Sequence, residues 1–398
     1  MNIAVIGAGA AGFMAAITAK ENNPTAYVTI FEKSSKILSK VLVSGGGRCN
    51  VTHKSDSISS LIKNYPRGKN KLKTPFNIFD NKDTVKWFKN RNVNLKTEID
   101  NRMFPVSNTS KTIYDCLLDN SKKLNIKLKC SSKLENIIID SQNNIEIIIN
   151  SEKIICDKLI IAMGGFSKEN SFKIFKSIGY NIIPPVPSLF TFKVKNDSIT
   201  SLMGVSVKNV TSSIQGTKFK QSGDILITHW GFSGPSILKL SSFAARLLSD
   251  MNYDFNIQIN WISKNEELAR EDLKKFISSN SLITNNIPFN IPKRLWENLL
   301  IKNDINFKTI WSDLKSKQLN KLVNSIVNDE YHILGKTTFK EEFVTCGGID
   351  LENIDMNRMQ SKLHSNIYFA GEILNIDAIT GGFNFQAAWT TGYIAGIN

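Results

Sequence analysis

Asn2-Ile3-Ala4-Val5-Ile6-Gly7-Ala8-Gly9-Ala10-Ala11-Gly12 opens the chain, and Tyr27-Val28-Thr29-Ile30-Phe31-Glu32 follows shortly after. Residues 2–6 are a short, almost wholly apolar run, as a parallel strand buried on both faces requires. The glycines then fall at GxGxxG spacing, and Phe13 to Lys20 continues in small and apolar helix formers. The second apolar run ends in an acid, Glu32, twenty residues after Gly12. Each position has a physical task. Gly7 allows a tight turn, Gly9 lets the backbone approach a pyrophosphate, and Gly12 lets the helix pack closely on the strand. The N–H groups at the helix start, around Ala10 and Ala11, meet the phosphates together with the positive end of the helix dipole. Glu32 can accept both hydroxyls of an adenosine ribose. A lone glycine triplet says little; the complete strand, turn, helix, strand and acid specify a Rossmann-like α/β dinucleotide-binding domain.

Working outward, Lys40-Val41-Leu42-Val43-Ser44-Gly45-Gly46-Gly47-Arg48-Cys49-Asn50 reads as a glycine loop that can approach a ligand closely. Residues 84–90 and 110–124 read as helices, and 126–129, 134–140, 145–150 and 157–162 as strands. The last of these runs into Met163-Gly164-Gly165-Phe166, a second contact for a dinucleotide. Ile367-Tyr368-Phe369-Ala370-Gly371-Glu372 is again a strand closing on Gly-Glu. Thr380-Gly381-Gly382-Phe383-Asn384 then opens a final helix over 385–397. The nucleotide domain is therefore discontinuous. A distant second segment favours FAD over NAD, because an extended flavin cofactor needs contacts from both. The final helix would aim its dipole and the N–H groups near Phe383 and Asn384 at the flavin N1–C2=O edge, stabilising the reduced form.

Between the halves, Pro184-Pro185-Val186-Pro187 marks a boundary. Residues 190–194, 203–210, 218–221 and 255–261 read as strands, with Gly223 to Pro235 a turn-rich loop among them. Residues 265–336 turn helical and rich in lysine. The expected organisation is a FAD-binding domain over 1–187 and 347–398, a β-barrel-like insertion over 188–264 and 337–346, and a small helical subdomain over 265–336.

The length of 398 residues suggests two or three domains, and 41% hydrophobic content supports real cores. No apolar run reaches the ~20 residues of a membrane helix. Met1 to Lys20 lacks a basic start and reads as the nucleotide turn rather than an export signal, so a cytoplasmic location is expected. Five Cys without a CxxC spacing and four scattered His give neither a disulfide framework nor a metal site. Lys and Arg number 50 against 35 Asp and Glu, a net +15. A polyanionic partner and a surface bias toward lysine account for that excess about equally well.

These motifs resemble the YhiN/BaiN-like family of NAD(P)/FAD-dependent oxidoreductases, a group with aminoacetone-oxidase-type flavoproteins and ribosomal RNA dihydrouridine synthase-type members. The resemblance covers nearly the whole chain. Its carriers are Gly7 to Gly12 with Glu32, Ser44 to Asn50, Arg102 to Ser107, Thr228 to Pro235, Thr345 to Gly348, and Ala370-Gly371-Glu372 through Gly381 to Gln386. The chain departs from the family pattern in a short turn over Phe166 to Ser171, and in Asn375 where an Asp often follows the Gly-Glu. The resemblance implies a two-part FAD domain, a β-barrel-like insertion and a small helical subdomain.

Candidate cofactor contacts are Gly7, Gly9, Ala10, Ala11, Gly12, Glu32, Lys33, Lys40, Ser44, Gly45, Gly46, Gly47, Asn50, Leu134, Ala162, Gly164, Gly371, Glu372, Gly382, Phe383 and Asn384. Candidate catalytic residues are Cys49 as proton donor, with Arg48 beside it as a cation that would favour the thiolate and so cut against that role, and His229 to orient a substrate carbonyl. Three functions compete. One is reduction of a conjugated C=C with NADPH or NADH, on a uridine of large-subunit ribosomal RNA, with Lys293, Arg294, Lys315, Lys317 and Lys321 gripping phosphates. A second is oxidoreduction of a small amine, ketone or enone. The third is a non-catalytic flavin-containing RNA-binding protein. Trp296, Phe307, Trp311 and Tyr331 lie among the lysines and could stack bases, though most read as the core of the helical part.

Overall fold

The opening run forms the strand Asn2–Ile6 inside a seven-stranded sheet in the computed structural model, which describes residues 1–336 and 344–398. Across this sheet the strands run Ile354–Asp355, Gln360–Ser361, Ile367–Phe369, Lys158–Ile161, Asn2–Ile6, Tyr27–Phe31 and Lys127–Lys129. The last five are parallel in register, such as Val5 opposite Ile160 and Ile30. Strands from both chain ends thus lie side by side, and the Rossmann-type fold of FAD-binding proteins is complete only with the C-terminal segment.

The first helix, Ala10–Asn22, is buried along nearly its whole length because the final helix, Phe383–Ile397, lies against it. Small residues allow this approach. A Cβ on Gly392 would stand 2.5 Å from the Ala11 carbonyl oxygen, and one on Gly396 2.6 Å from that of Ala15. An all-apolar helix with little polar face is what such sandwiching requires.

The described chain forms two units. The first holds Met1–Val186 and Val344–Asn398; the second begins at Pro187 and carries the described residues to 336. Residues 344–346, assigned from the sequence to the insertion, run instead in the strand Val344–Ile349 of the first unit; 337–343 lie outside the described residues. The proline run 184–187 sits within a strand, Ile182–Ser188, which pairs with Val344–Ile349. Proline donates no ladder hydrogen bond, so it suits a two-stranded edge pairing.

The second unit is a closed six-stranded antiparallel barrel: Phe192–Val194, Gly231–Ser233, Lys220–Thr228, Ser206–Ile214, Asp254–Asn260 and Asp329–Lys336. Residues 223–235 are therefore mostly strand rather than loop. Their Gly and Ser content masked the inward alternation of Ile225 and Ile227. The helices Glu266–Ile277, Lys293–Lys302 and Ser316–Val327 share one apolar core with the barrel. Trp296 and Trp311 are fully buried in it, as is Phe232. Those two tryptophans and Tyr331 are core, not a stacking platform.

Candidate functional site

The first glycine turn is built by protein contacts. A Cβ on Gly7 would meet the Ala162 carbonyl oxygen at 2.3 Å, and one on Gly12 the Gly7 carbonyl oxygen at 1.9 Å. Gly9 differs, because a Cβ there meets nothing within 4 Å. Gly9 also caps the first helix with no side-chain partner. Among the described residues the N–H groups of Ala10, Ala11 and Gly12 find no acceptor. Glu32 lies beside this turn, half-buried. Its carboxylate accepts the Ala8 N–H at 2.9 Å and the Ser34 N–H at 2.9 Å, which fixes its orientation. Next to it the chain at 131–134 runs back: Ser132 N–H donates to the Glu32 carbonyl, and Leu134 is buried at the head of the strand that follows. Lys33 is exposed, its ammonium 5.9 Å from the Phe166 ring.

Lys40 to Val43 are helical, not loop; the loop begins at Ser44, whose ψ of 149° breaks the helix. Gly45, Gly46 and Gly47 then all adopt left-handed conformations, with φ of 57°, 68° and 81°. Gly45 lies against Phe104, whereas a Cβ on Gly46 or Gly47 would meet nothing within 4 Å. Leu42 and Val43 are exposed beside this loop, Val43 by 65%.

Arg48 turns away from Cys49. Its guanidinium pairs with Glu98 at 2.6 Å and stacks 4.1 Å over Phe104. Cys49 is wholly buried, and burial pushes its thiol up to about 12. The expected lowering by Arg48 is absent, and a neutral thiol with no accessible surface cannot reach a substrate. Cys49 is a packed residue of the loop, and Arg48 is its brace.

Asn50 joins this loop to the far end of the chain. With its amide oriented to suit its neighbours, it donates to the Thr52 carbonyl at 3.0 Å and accepts the Gly382 N–H at 3.0 Å. Around this link the two segments interlock. His53 Nδ1 lies 3.1 Å from the Gly381 carbonyl, and its ring lies 4.5 Å from that of Phe383. Tyr65 donates to the Phe383 carbonyl at 2.6 Å. The buried Gln386 amide oxygen accepts from both Thr52 (2.6 Å) and Thr84 (3.0 Å), while its nitrogen donates to Thr390. Arg67 forms an ion pair with the fully buried Asp377. Sequence reasoning missed Thr52, Tyr65, Thr84 and Gln386. The legible signal was the pair Gln386 and Thr390, polar and four apart in an otherwise apolar helix. Arg67 and Asp377, 310 residues apart, had none.

Asn384 uses its side chain to clamp Ala378, donating to its carbonyl and accepting its N–H, both at 2.9 Å. The backbone N–H groups of Phe383, Asn384 and Phe385 find no acceptor among the described residues. Gly371 (φ 76°) brings the distal Gly-Glu within 2.9 Å of the Ala11 side chain, measured from an added Cβ. Glu372 accepts the Thr345 N–H at 2.9 Å and pairs with Lys40 at 2.6 Å. Gly164 (φ 74°) faces open space. The Asn375 side-chain oxygen is buried with no hydrogen-bond partner among the described residues. Two helix starts with free N–H groups, an oriented carboxylate, four glycines facing empty space and one orphaned acceptor fit an extended flavin dinucleotide.

His229 is in the other unit, exposed after the strand Lys220–Thr228 with its ring packed on Trp230. Lys315, Lys317 and Lys321 are exposed there, with no ion pair among the described residues. Lys293 faces Glu297 at 3.9 Å, and Arg294 donates to the Ser201 and Met203 carbonyls. The 265–336 segment holds 11 Lys and Arg against 9 Asp and Glu, so the basic excess is not concentrated there.

The family model described as HI0933-like protein Rossmann domain matches residues 1–398. The chain belongs to that family. It is the YhiN/BaiN-like group to which the motifs point. Among its relatives are proteins named ribosomal RNA dihydrouridine synthase. That of Haemophilus influenzae is 27% identical, covering 99% of this chain and 97% of the relative; that of Escherichia coli is 26% identical, covering 98% and 95%. A 3-dehydro-bile acid delta(4,6)-reductase of Clostridium scindens is 25% identical, covering 99% and 98%. In fold, this HI0933-like chain is similar to a 3-ketosteroid delta1-dehydrogenase of Sterolibacterium denitrificans (TM-score 0.54, 11% identity, 99% and 98% covered). It is an FAD-dependent oxidoreductase by family. No helix among the described residues is long and apolar enough to cross a membrane.

Proposed function

We propose that this protein reduces a uridine of large-subunit ribosomal RNA to dihydrouridine in the cytoplasm, with NADPH or NADH as donor. The observation that carries the reading is near-full-length similarity to two proteins named for that activity, joined to a net charge of +15. The uracil C5=C6 bond is conjugated to a carbonyl, so C6 accepts hydride and C5 a proton. Bound FAD supplies the two-electron relay between a nicotinamide and that bond.

The chain's own residues hold and orient the cofactor. Glu32 accepts the adenosine ribose hydroxyls. The N–H groups of Ala10 to Gly12 bind the pyrophosphate, with Gly9 and Gly164 leaving it room. Gly46 and Gly47 would leave room for the flavin rings, beside the exposed Leu42 and Val43. The N–H groups of Phe383 and Asn384, with the dipole of the final helix, would hold the pyrimidine edge and would favour negative charge there. Asn50 and Gln386 keep the two segments in register.

A second reading has its own support, since the bile-acid reductase is about as similar over the same length. Its name describes an enone-type substrate of the same electronic kind. The deciding experiment measures dihydrouridine in large-subunit rRNA from a deletion strain, and turnover of purified holoenzyme with NADPH on protein-free rRNA. Loss of the nucleoside and its formation in vitro are expected. Unchanged rRNA together with reduction of a steroid enone moves the assignment to the small-molecule reading; rRNA binding without turnover on either moves it to a non-catalytic role.

A further inference from the structure

The basic excess is localised, and its place is not the helical stretch that carries the most conspicuous lysines. Residues 54–96 hold 11 Lys and Arg against 3 Asp and Glu. That net +8 in 43 residues is more than half of the chain's +15. A lysine bias of the whole sequence would have spread it. The three acids do little to offset it. Asp80 and Asp83 form a capping box at the start of the helix Asn81–Lys89, accepting backbone N–H groups at 2.7–3.1 Å. Only Asp56 is left on the surface.

Ten of the eleven cations divide into two groups, and the eleventh, Lys96, is half-buried. Arg67, Lys71 and Arg91 are held by Asp377, Glu352 and Glu21. Lys54, Lys63, Lys69, Lys73, Lys82, Lys86 and Lys89 are exposed and have no ion pair among the described residues. Lys82, Lys86 and Lys89 stand four and three apart, so they form one stripe on the helix Asn81–Lys89. The face opposite, with Thr84, Trp87 and Phe88, is buried. Unpaired like charges on one face are unfavourable for the isolated protein and favourable against a polyanion.

The segment is also anchored to the candidate active site. It begins four residues after Asn50 and packs on the first half of the final helix. Tyr65 donates to the Phe383 carbonyl, Thr84 to Gln386, and Thr390 to the Phe79 carbonyl. Phe79 stacks on Tyr393 at 4.3 Å, and Phe88 meets Trp389 edge-on at 5.5 Å. Rigid attachment to the helix whose start meets the flavin edge gives phosphate contacts a fixed distance from the reacting base. Such contacts set register without reading sequence.

We propose that the lysine-bearing segment 54–96 is the surface on which the RNA substrate docks, its phosphates lying along Lys82, Lys86 and Lys89 and along Lys63, Lys69 and Lys73. This rests on the RNA reading above. The test uses the full-length holoenzyme and a protein-free transcript of large-subunit rRNA, with affinity measured by anisotropy from 50 to 300 mM salt. Two triple variants are compared with wild type: Lys82→Gln/Lys86→Gln/Lys89→Gln and Lys63→Gln/Lys69→Gln/Lys73→Gln. A charge-matched variant outside the segment, Lys122→Gln/Lys123→Gln/Lys127→Gln, is the reference. Flavin absorbance per chain and melting temperature verify folding. Each segment variant should weaken binding roughly 10- to 100-fold and lower the log–log salt slope by about 2–3, as expected for three lost phosphate contacts. The reference variant should shift both far less. Equal losses in all three variants, or a loss only in Lys315→Gln/Lys317→Gln/Lys321→Gln, overturn the proposed surface while the RNA reading stands. Wild-type holoenzyme that shows no salt-dependent RNA affinity and forms no dihydrouridine overturns both.

Discussion

The two glycine turns of the first unit look alike in sequence and are alike in little else. In Gly7 to Gly12 the outer glycines are demanded by the protein, since a methyl group at either would collide with backbone at 2.3 or 1.9 Å. In Gly45 to Gly47 the demand is mostly conformational. All three adopt positive φ, and the last two face space that no protein atom fills. One turn is a packing joint, and the other faces open space at Gly46 and Gly47. A glycine can therefore report either close approach of the chain to itself or room kept for something else, and only the surrounding atoms distinguish these.

The largest test of this contrast is Gly12→Ala. Its Cβ has no route that avoids the Gly7 carbonyl, so the first helix must separate from the strand. We expect a loss on the order of 3–5 kcal/mol, seen as insoluble protein or a melting temperature about 10 °C lower even without cofactor.

Glu32 sits between the two cases, because its carboxylate holds the Ala8 N–H and has lone pairs left for a ribose. Glu32→Ala should weaken FAD binding by about 2–3 kcal/mol, or roughly 30- to 150-fold, while lowering apoprotein stability by only about 1 kcal/mol. Fluorescence titration with FAD and thermal melting of the apoprotein separate the two numbers. Unchanged FAD affinity would remove Glu32 from the cofactor site.

Gly46→Ala should behave in the opposite way to Gly12→Ala. The new methyl meets nothing, so the apoprotein loses only the roughly 1 kcal/mol of a left-handed alanine. FAD affinity should fall by more than that, because the methyl occupies the proposed ring space. If the apoprotein melts as low as the Gly12 variant, the second turn is a packing joint too.

The smallest effect is expected at Cys49. Cys49→Ala should keep turnover with nicotinamide and substrate, measured by steady-state kinetics, and change stability by roughly 1 kcal/mol. Its pH signature has a definite sign. The fold raises the thiol from 9.0 to about 12, so it favours the protonated form. That contribution is complete below pH 9 and is lost as pH rises toward about 12. Apoprotein stability should fall over this window, less steeply in the alanine variant.

The fold class was legible because the periodicities are local. An apolar run of five, glycines at fixed spacing and an acid twenty residues on all act within one strand–helix–strand unit. The boundaries that failed did so for stated reasons. Residues 223–235 carry turn-type residues on barrel strands, and Lys40 to Val43 helix was hidden by the glycines after it. The inference that Arg48 would activate Cys49 failed because adjacency along the chain says nothing of where a long side chain points; Glu98 and Phe104 decide that.

The sequence alone determined the nucleotide-binding unit, the need for a second segment from the chain's other end, and the family, since each is written in residues close together or in motifs of fixed spacing. Only the tertiary structure decided which glycines face protein and which face space, and that Asn50 and Gln386 tie segments more than 300 residues apart. It also decided which of the 50 basic side chains have carboxylate partners. Those are properties of pairs brought together by folding, and a one-dimensional pattern holds no term for a pair until the backbone has closed the distance.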